Sequence, residues 1–564
     1  MSFRQKKKFQ DLLAYERGSQ RKAWGDRLTI CLAYPNVYRT GMSNLGFQTV
    51  YRLLNMNPDV VCERVFLPDP EDEPSVSSGS LPILSLESQR PLRDFDIIAF
   101  SLSFENDYPH ILTLLSLTGL DPLAVNRREY DPLVMAGGIA VTMNPEPLAD
   151  FFDLFLLGEA EELLSEAIEA MLMWRRTGQK KDECLYRLQS STEGVYVPRF
   201  YAVTYDQGGP IKLFAPIDTA FPKRIRKRWI EDINAFVTDQ AIIAPDTELG
   251  SMYLTEVNRG CPRGCRFCAA GYIYRPVRFR GWDVLRASVD NGLVQVNRIG
   301  LLGTAVSDHP DLIRMCRYIL DRQGRVAIGS LRLDRLSDDM IRVLKDGGIQ
   351  TLSLAPEAGS QRLRDLIRKG ITEVQIQKAA SALLENGIVN IRTYFMIGLP
   401  TETDDDITSL IDLVSALDRL VINIDGREIK FRRITVSINQ FIPKAATPLQ
   451  WCPLKRIDDV KKKIRRIKSA FQKKTAVRVQ AESPRYNYIQ ALLSLGDRRV
   501  GQILLAHHRY QGNWPRAFKE APLHPDFWVY RPKALGEILP WDFIDHGVKR
   551  AYLEEEYGKA LAGC

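Results

Sequence analysis

The stretch Thr255–Pro276, TEVNRGCPRGCRFCAAGYIYRP, places three cysteines within eight residues. Three residues separate Cys261 from Cys265, and two separate Cys265 from Cys268. Thiolates are soft ligands that suit zinc or iron–sulfur clusters. A structural zinc site wants four protein ligands, yet the nearest further candidates are His309 and Cys316, the latter on an expected helix. Three thiolates on a short loop can instead hold three irons of a 4Fe–4S cluster and leave the fourth iron open to a small ligand. Phe267 and Ala269 offer apolar shielding, and Gly260 and Gly264 let the backbone wrap closely. A zinc knuckle with a distant fourth ligand, and cysteines that merely pack, are the competing readings.

Outward from this loop, residues 249–448 alternate strands and helices. MYLTEVNR, RIGLLGTA, RVAIGSLR, QTLSLAPE, NIRTYFMIGLP and RITVSINQF read as strands, with helices such as DDMIRVLKDGG and QIQKAASALLENG between them. Six βα units in this length suit a partial TIM (βα)6 barrel, whose chemistry belongs at the carboxyl ends of its strands. Upstream, residues 27–175 have the same rhythm. LTICLAYP, DFDIIAFSLSF and DPLVMAGGIAV are strands, SNLGFQTVYRLL is a helix with an N-cap residue, and Phe152–Trp174 runs strand, glycine turn, amphipathic helix. A parallel, Rossmann-like α/β domain is expected there.

Residues 1–26 form a basic N-terminal extension. Residues 176–248 read as a β-rich linker, with GVYVPRFYAVTY as strand and PKRIRKRWI as a solvated charge run. Residues 449–564 read as a basic, helical C-terminal extension. The fold class is therefore α/β: a Rossmann-like domain, a partial barrel and a helical tail.

Composition agrees. The 564 residues are 45% hydrophobic and 26% charged, which excludes disordered and collagen-like chains. The net charge of +8 permits an anionic partner without demanding one. Nine cysteines, an odd number with six scattered, argue against a disulfide framework. No apolar run has membrane-spanning length, and the N-terminus lacks a secretory h-region, so a cytoplasmic protein without membrane contact is expected.

CPRGCRFC, opening a barrel-like segment, resembles the CxxxCxxC signature of the radical S-adenosylmethionine (radical SAM) superfamily. The resemblance implies that Cys261, Cys265 and Cys268 ligate a 4Fe–4S cluster and that S-adenosylmethionine binds its open iron. Cluster reduction would then yield a 5′-deoxyadenosyl radical. It further implies an electron donor such as flavodoxin or ferredoxin and an unidentified substrate. Later segments are similar to the family's SAM-binding elements. Gly303 and Thr304 stand where the second-strand motif receives the amino group, although no GGE occurs. Ser330 and Arg332 end a strand, Arg332 as a carboxylate partner. Glu357 is placed as a ribose or amino contact, Arg392 as a second carboxylate contact, and backbone around Ile442 beside the adenine. No substrate acid or base is nominated.

The N-terminal domain resembles the cobalamin-binding domain that precedes many such barrels, within an uncharacterised branch. Gly137 and Gly138 are its candidates for close ligand approach. No DxHxxG motif is present to supply a cobalt-ligating histidine, and His110 is the domain's one histidine. The resemblance leaves cobalamin as a candidate cofactor and methyl transfer as candidate chemistry. Two alternatives remain: a radical SAM enzyme modifying tRNA or rRNA without cobalamin, and a non-catalytic zinc-dependent nucleic-acid-binding protein. For either, the basic helix in LKRIDDVKKKIRRIKSAFQKK would contact RNA phosphates. Cys31, Cys62 and Cys184 are too dispersed for the second cluster of a methylthiotransferase.

Overall fold

The computed structural model describes residues 3–69, 71, 82–244, 246–329 and 331–562. The strands of the N-terminal domain are mostly apolar and buried on both faces, as parallel strands require, with the buried Glu63 and Arg64 interrupting the second. They are β1 (Leu28–Val37), β2 (Val60–Leu67), β3 (Ile97–Ser101), β4 (Leu133–Gly137), β5 (Leu154–Leu156) and β6 (Val195–Tyr196). Among the described residues they form one sheet in the order β2-β1-β3-β4-β5-β6, parallel except for β6. The order reverses between β1 and β3, the point where doubly wound sheets bind ligands. Alternate residues feed two cores. Ile30, Leu32, Ala99 and Met135 face helices Leu45–Met56 and Ala160–Thr177. Cys31, Phe100, Val134 and Phe155 face helix Tyr108–Thr118 and a second layer described below. The expected helix over Ser43–Leu54 runs Leu45–Met56, two residues later at each end. Its N-cap is Asn44, whose side chain accepts from the Phe47 amide at 2.9 Å. Strand β2 had no reading in the sequence.

Residues 176–248, expected as a β-rich linker, contain a helix, Lys181–Ser191. Cys184, Leu185 and Leu188 recur at helical spacing and bury against the first core. The strand expected there supplies edge strand β6 and, with β7 (Tyr201–Tyr205) and β8 (Ile211–Pro216), a hairpin. The basic run is not a free solvated segment. β9 (Ile225–Arg226) lies within it, Ile225, Lys227 and Ile230 are buried, and Arg228 pairs with Glu162 and Glu166.

All six expected barrel strands form: β10 (Tyr253–Arg259), β12 (Arg298–Gly303), β13 (Arg325–Ile328), β14 (Thr351–Glu357), β15 (Asn390–Ile397) and β18 (Arg433–Gln440). A short β11 (Arg278–Phe279) runs antiparallel beside β10. An edge hairpin, β16 (Val421–Ile424) and β17 (Arg427–Lys430), precedes β18. The parallel strands form two ladders, β10-β12-β13 and β14-β15-β18-β19, so the barrel is partial. β19 (Val477–Ala481) pairs parallel with β18 and extends the sheet past residue 448. The basic helix Ile457–Ala470 is thus a crossover between two barrel strands. Val460 and Ile467 are buried, and Lys463 bonds Glu402. Its outer face keeps Lys462, Arg465 and Lys468 exposed.

The C-terminal helices Pro484–Leu495 and Val500–Arg509 supply that second layer on the N-terminal sheet. Asn144 donates to the carbonyls of Ser494 (3.1 Å) and Gly496 (2.8 Å), and Arg498 bonds Glu146. Among the described residues, no helix is long and apolar enough to cross a membrane.

Candidate functional site

The cysteine loop begins where β10 ends. Gly260 has φ +85°, and a Cβ there would stand 2.3 Å from the Tyr274 carbonyl oxygen, so only glycine permits this turn. Asn258 and Thr304 each donate to the Gly260 carbonyl, at 2.8 and 2.6 Å. Asn258 Oδ1 accepts from the Ala305 amide. A Cβ on Gly303 would meet that Asn258 oxygen at 2.1 Å. The nominated Gly303 and Thr304 therefore anchor the start of the loop. Asn258, which the sequence reading passed over, is the bridge. Lower down, the Arg266 amide donates to the Ile367 carbonyl at 2.9 Å, and its guanidinium reaches Glu556 of helix Arg550–Leu561 at 3.1 Å. Phe267 packs with Leu399, Met396 and Phe441.

Burial pushes up the thiols of Cys265 and Cys268, the latter to about 11, with the charge of Cys261 adding to both and that of Cys265 adding to Cys268. Against this, Lys369 and Arg332 favour the Cys265 thiolate. Metal binding needs thiolates. This loop sets three mutually interacting thiols in an apolar shell with two cations at hand. Lys369 Nζ bonds Glu357 at 3.1 Å, and Arg332 bonds both Asp334 (2.9 Å) and the Lys369 carbonyl (3.2 Å). Glu357 has φ +67°, a strained conformation for a non-glycine residue, at a register shift of β14.

His309 and Cys316 are otherwise committed. His309 Nε2 lies 3.0 Å from the Arg280 carbonyl and Nδ1 accepts from the Asp311 amide, while Cys316 is buried in the barrel core. Among the described residues, no three His, Cys, Asp or Glu side chains converge on one metal ion. A multi-iron core, with each thiolate on a different iron, needs no such convergence. The donor set fits a 4Fe–4S cluster.

The other nominated residues fall in separate places. Gly303, Thr304, Gly137 and Gly138 line one cavity of about 570 Å³ between the barrel's mouth and the N-terminal sheet. Its floor is the carboxyl edge of β3, β4 and β5. Gly138 has φ +112°, and a Cβ would lie 2.4 Å from the Leu102 carbonyl oxygen. Gly158 has φ +127°, with the Arg228 carbonyl oxygen 2.2 Å from a Cβ. Gly158→Ala is expected to cost more than about 1 kcal/mol, read as a lower midpoint in thermal unfolding. Arg259 closes the cavity's side, meeting Glu159 (3.1 Å), Glu161 (2.8 Å) and Glu256 (2.8 Å). Ile442, two residues beyond β18, packs against the core shared with the N-terminal domain. Arg392 stands apart. It pairs with Ser353 and Thr435 near the amino ends of the strands, about 13 Å below Glu357 at 3.3 Å per residue. Ser330 lies outside the described residues.

Residues 255–414 match the family profile "Radical SAM superfamily", and residues 46–198 match "Radical SAM proteins, N-terminal". The uncharacterized protein MJ0966 of Methanocaldococcus jannaschii is 29% identical over 481 residues, 84% of this chain and 90% of that protein. A tRNA-2-methylthio-N(6)-dimethylallyladenosine synthase of Hydrogenobaculum sp. is 25% identical over 181 residues, 29% of this chain and 40% of that protein. Among solved structures, the radical S-adenosylmethionine methyltransferase TsrM of Kitasatospora setae, with cobalamin and a 4Fe-4S cluster bound, superposes with a TM-score of 0.46. The two are 13% identical, and the match covers 73% of this chain and 75% of that one.

Proposed function

We propose that this chain, which belongs to the radical SAM superfamily, holds its 4Fe–4S cluster on Cys261, Cys265 and Cys268 and splits S-adenosylmethionine reductively at the barrel's mouth. The observation carrying this reading is the group of three interacting thiols beside Arg332, Lys369 and Glu357. The cluster, when bound, would supply the electron for reductive cleavage of the sulfonium and so the means to generate a 5′-deoxyadenosyl radical. Arg332 and Lys369 offset thiolate charge and offer cations to the methionine carboxylate. Glu357 accepts from the amino group or a ribose hydroxyl. Gly303 and Thr304 hold the loop at the height of the strand ends. Phe267, Met396 and Leu399 keep water from the core. Arg392, far from the mouth, is assigned no contact with S-adenosylmethionine.

Glu357→Gln is expected to leave iron content unchanged and weaken S-adenosylmethionine binding about tenfold, the scale of one charge-assisted hydrogen bond. Calorimetry on reconstituted protein reads this, and unchanged affinity removes Glu357 from the site.

For the cavity between the domains we propose cobalamin, and with it methyl transfer to a carbon of the substrate. Support comes from its place at the sheet's switch point and from glycine backbone at Gly137, Gly138 and Gly158. None of its lining side chains is a histidine, and His110 Nδ1 lies 2.9 Å from the Pro35 carbonyl. Anaerobic purification from cobalamin-supplied cells tests the assignment, and corrinoid far below stoichiometric level would refute it.

A further inference from the structure

A second cavity, of about 540 Å³, is lined by Cys261. Arg226, Lys227, Trp229, Arg275 and His546 line it, and Lys227 lines the larger cavity as well. A two-residue parallel ribbon builds it. β9 pairs with β20 (Ile544–Asp545), and the Lys227 amide donates to the Asp545 carbonyl at 2.9 Å. Lys227 and His546 thus follow side by side on neighbouring chains.

Both side chains are buried, at 4% and 6% exposure. Among the described residues, Lys227 Nζ has no hydrogen-bond partner, and neither does either ring nitrogen of His546. Glu159 is the acid acting on Lys227, but it is held by Arg278 (2.6 Å) and Arg259 (3.1 Å). Buried donors without partners cost free energy that folding alone does not recover. The cavity they line is largely apolar, walled by Trp229, Pro262, Pro276 and Val277, with Arg226, Arg275 and the single acid Asp545 as its other charged lining.

We propose that this cavity binds the anionic group, carboxylate or phosphate, of a small molecule whose oxygens accept from Lys227 Nζ and a His546 ring N–H. Arg226 and Arg275 stand at its entrance, and Trp229 covers an apolar part of the ligand. Lys227 faces both cavities, so it holds the ligand where Cys261 and the larger cavity meet. Calling that ligand the substrate rests on the function proposed above; the binding site does not.

The test is calorimetric titration of the iron-loaded protein, without reductant, using succinate and inorganic phosphate as separate probes. One of the two is expected to bind with 1:1 stoichiometry, and which one identifies the group. Lys227→Met should weaken that binding at least about tenfold with iron content unchanged, and should raise the thermal midpoint in anion-free buffer, since it removes a buried unpaired ammonium. A merely structural lysine would lower that midpoint. His546→Phe should weaken binding several-fold and keep the iron. The proposal falls if neither anion binds at about 10 mM, if Lys227→Met binds as wild type does, or if that variant is less stable than wild type without anion. Anion binding in a protein that fails to cleave S-adenosylmethionine would leave the site standing and remove the proposed reaction.

Discussion

Replacing Cys261, Cys265 and Cys268 together with alanine takes bound iron from about four atoms per chain to near zero, in the 4Fe–4S stoichiometry, and abolishes reductive cleavage of S-adenosylmethionine. The expectation follows from how the loop is supported. Its backbone is fixed by Asn258, Thr304 and the Arg266–Glu556 pair, none of which involves sulfur. The variant should therefore keep its fold, and unaltered far-ultraviolet circular dichroism separates loss of the cluster from unfolding. Cys265→Ala alone should have the full effect. It is the one residue of the three that is buried, and its thiol interacts with Lys369, Arg332 and Glu357. Iron and sulfide assays with the visible spectrum of anaerobically purified protein provide the readout. Stoichiometric zinc without iron in the wild type, or cleavage surviving the triple substitution, would overturn the assignment.

Arg259→Ala should destabilise the protein by about 3–5 kcal/mol, the cost of leaving buried carboxylates without their cation. Arg259 stands directly before the cysteine loop and meets Glu159 and Glu161 of the N-terminal domain and Glu256 of its own strand. Its side chain is 10% exposed, and those of Glu159 and Glu161 are 5% and 4%. Burial alone would raise the carboxyls of Glu159 and Glu256. The hydrogen bonds and charges of Arg278, Arg259 and Arg280 outweigh it and hold both below the ordinary value of 4.5. Carboxyls held low stabilise the fold fully above that value, and the contribution drains as pH falls through their folded-state values. Denaturation midpoints between about pH 5 and pH 3 (the carboxylate range and below) should fall more steeply for wild type than for Arg259→Ala. Parallel profiles would mean that the cluster of charges does not join the two domains energetically.

The barrel was legible because its strands are apolar runs with turn residues at their ends, and the metal loop because CPRGCRFC has little other use. The rest depended on contacts distant in sequence. Nothing in TEVNRG marks Asn258 as the bridge to Thr304, or Arg259 as partner to glutamates about a hundred residues earlier. The helix at Lys181–Ser191 was hidden by polar residues between its three apolar contacts. The strand at Val477–Ala481 is short, and the basic helix before it drew the eye to charge instead of to its buried Val460 and Ile467. Lys227 read as one of several surface cations, and its burial depends on pairing with residues more than three hundred positions downstream. Arg392 shows the converse dependence. Its place in a familiar-looking segment was readable, but its depth in the barrel depends on the register with β14.

The clasp between Arg266 and Glu556 joins residues 290 positions apart. While the chain is being synthesised, the three cysteines emerge from the ribosome long before their last support has been translated. A nascent chain can brace the start of the loop through Asn258 and Thr304 but not yet clasp Arg266, so the loop reaches its finished shape only after Glu556 has docked. Iron delivery that waits for that docking would meet a preshaped pocket, whereas earlier delivery would meet a slack one.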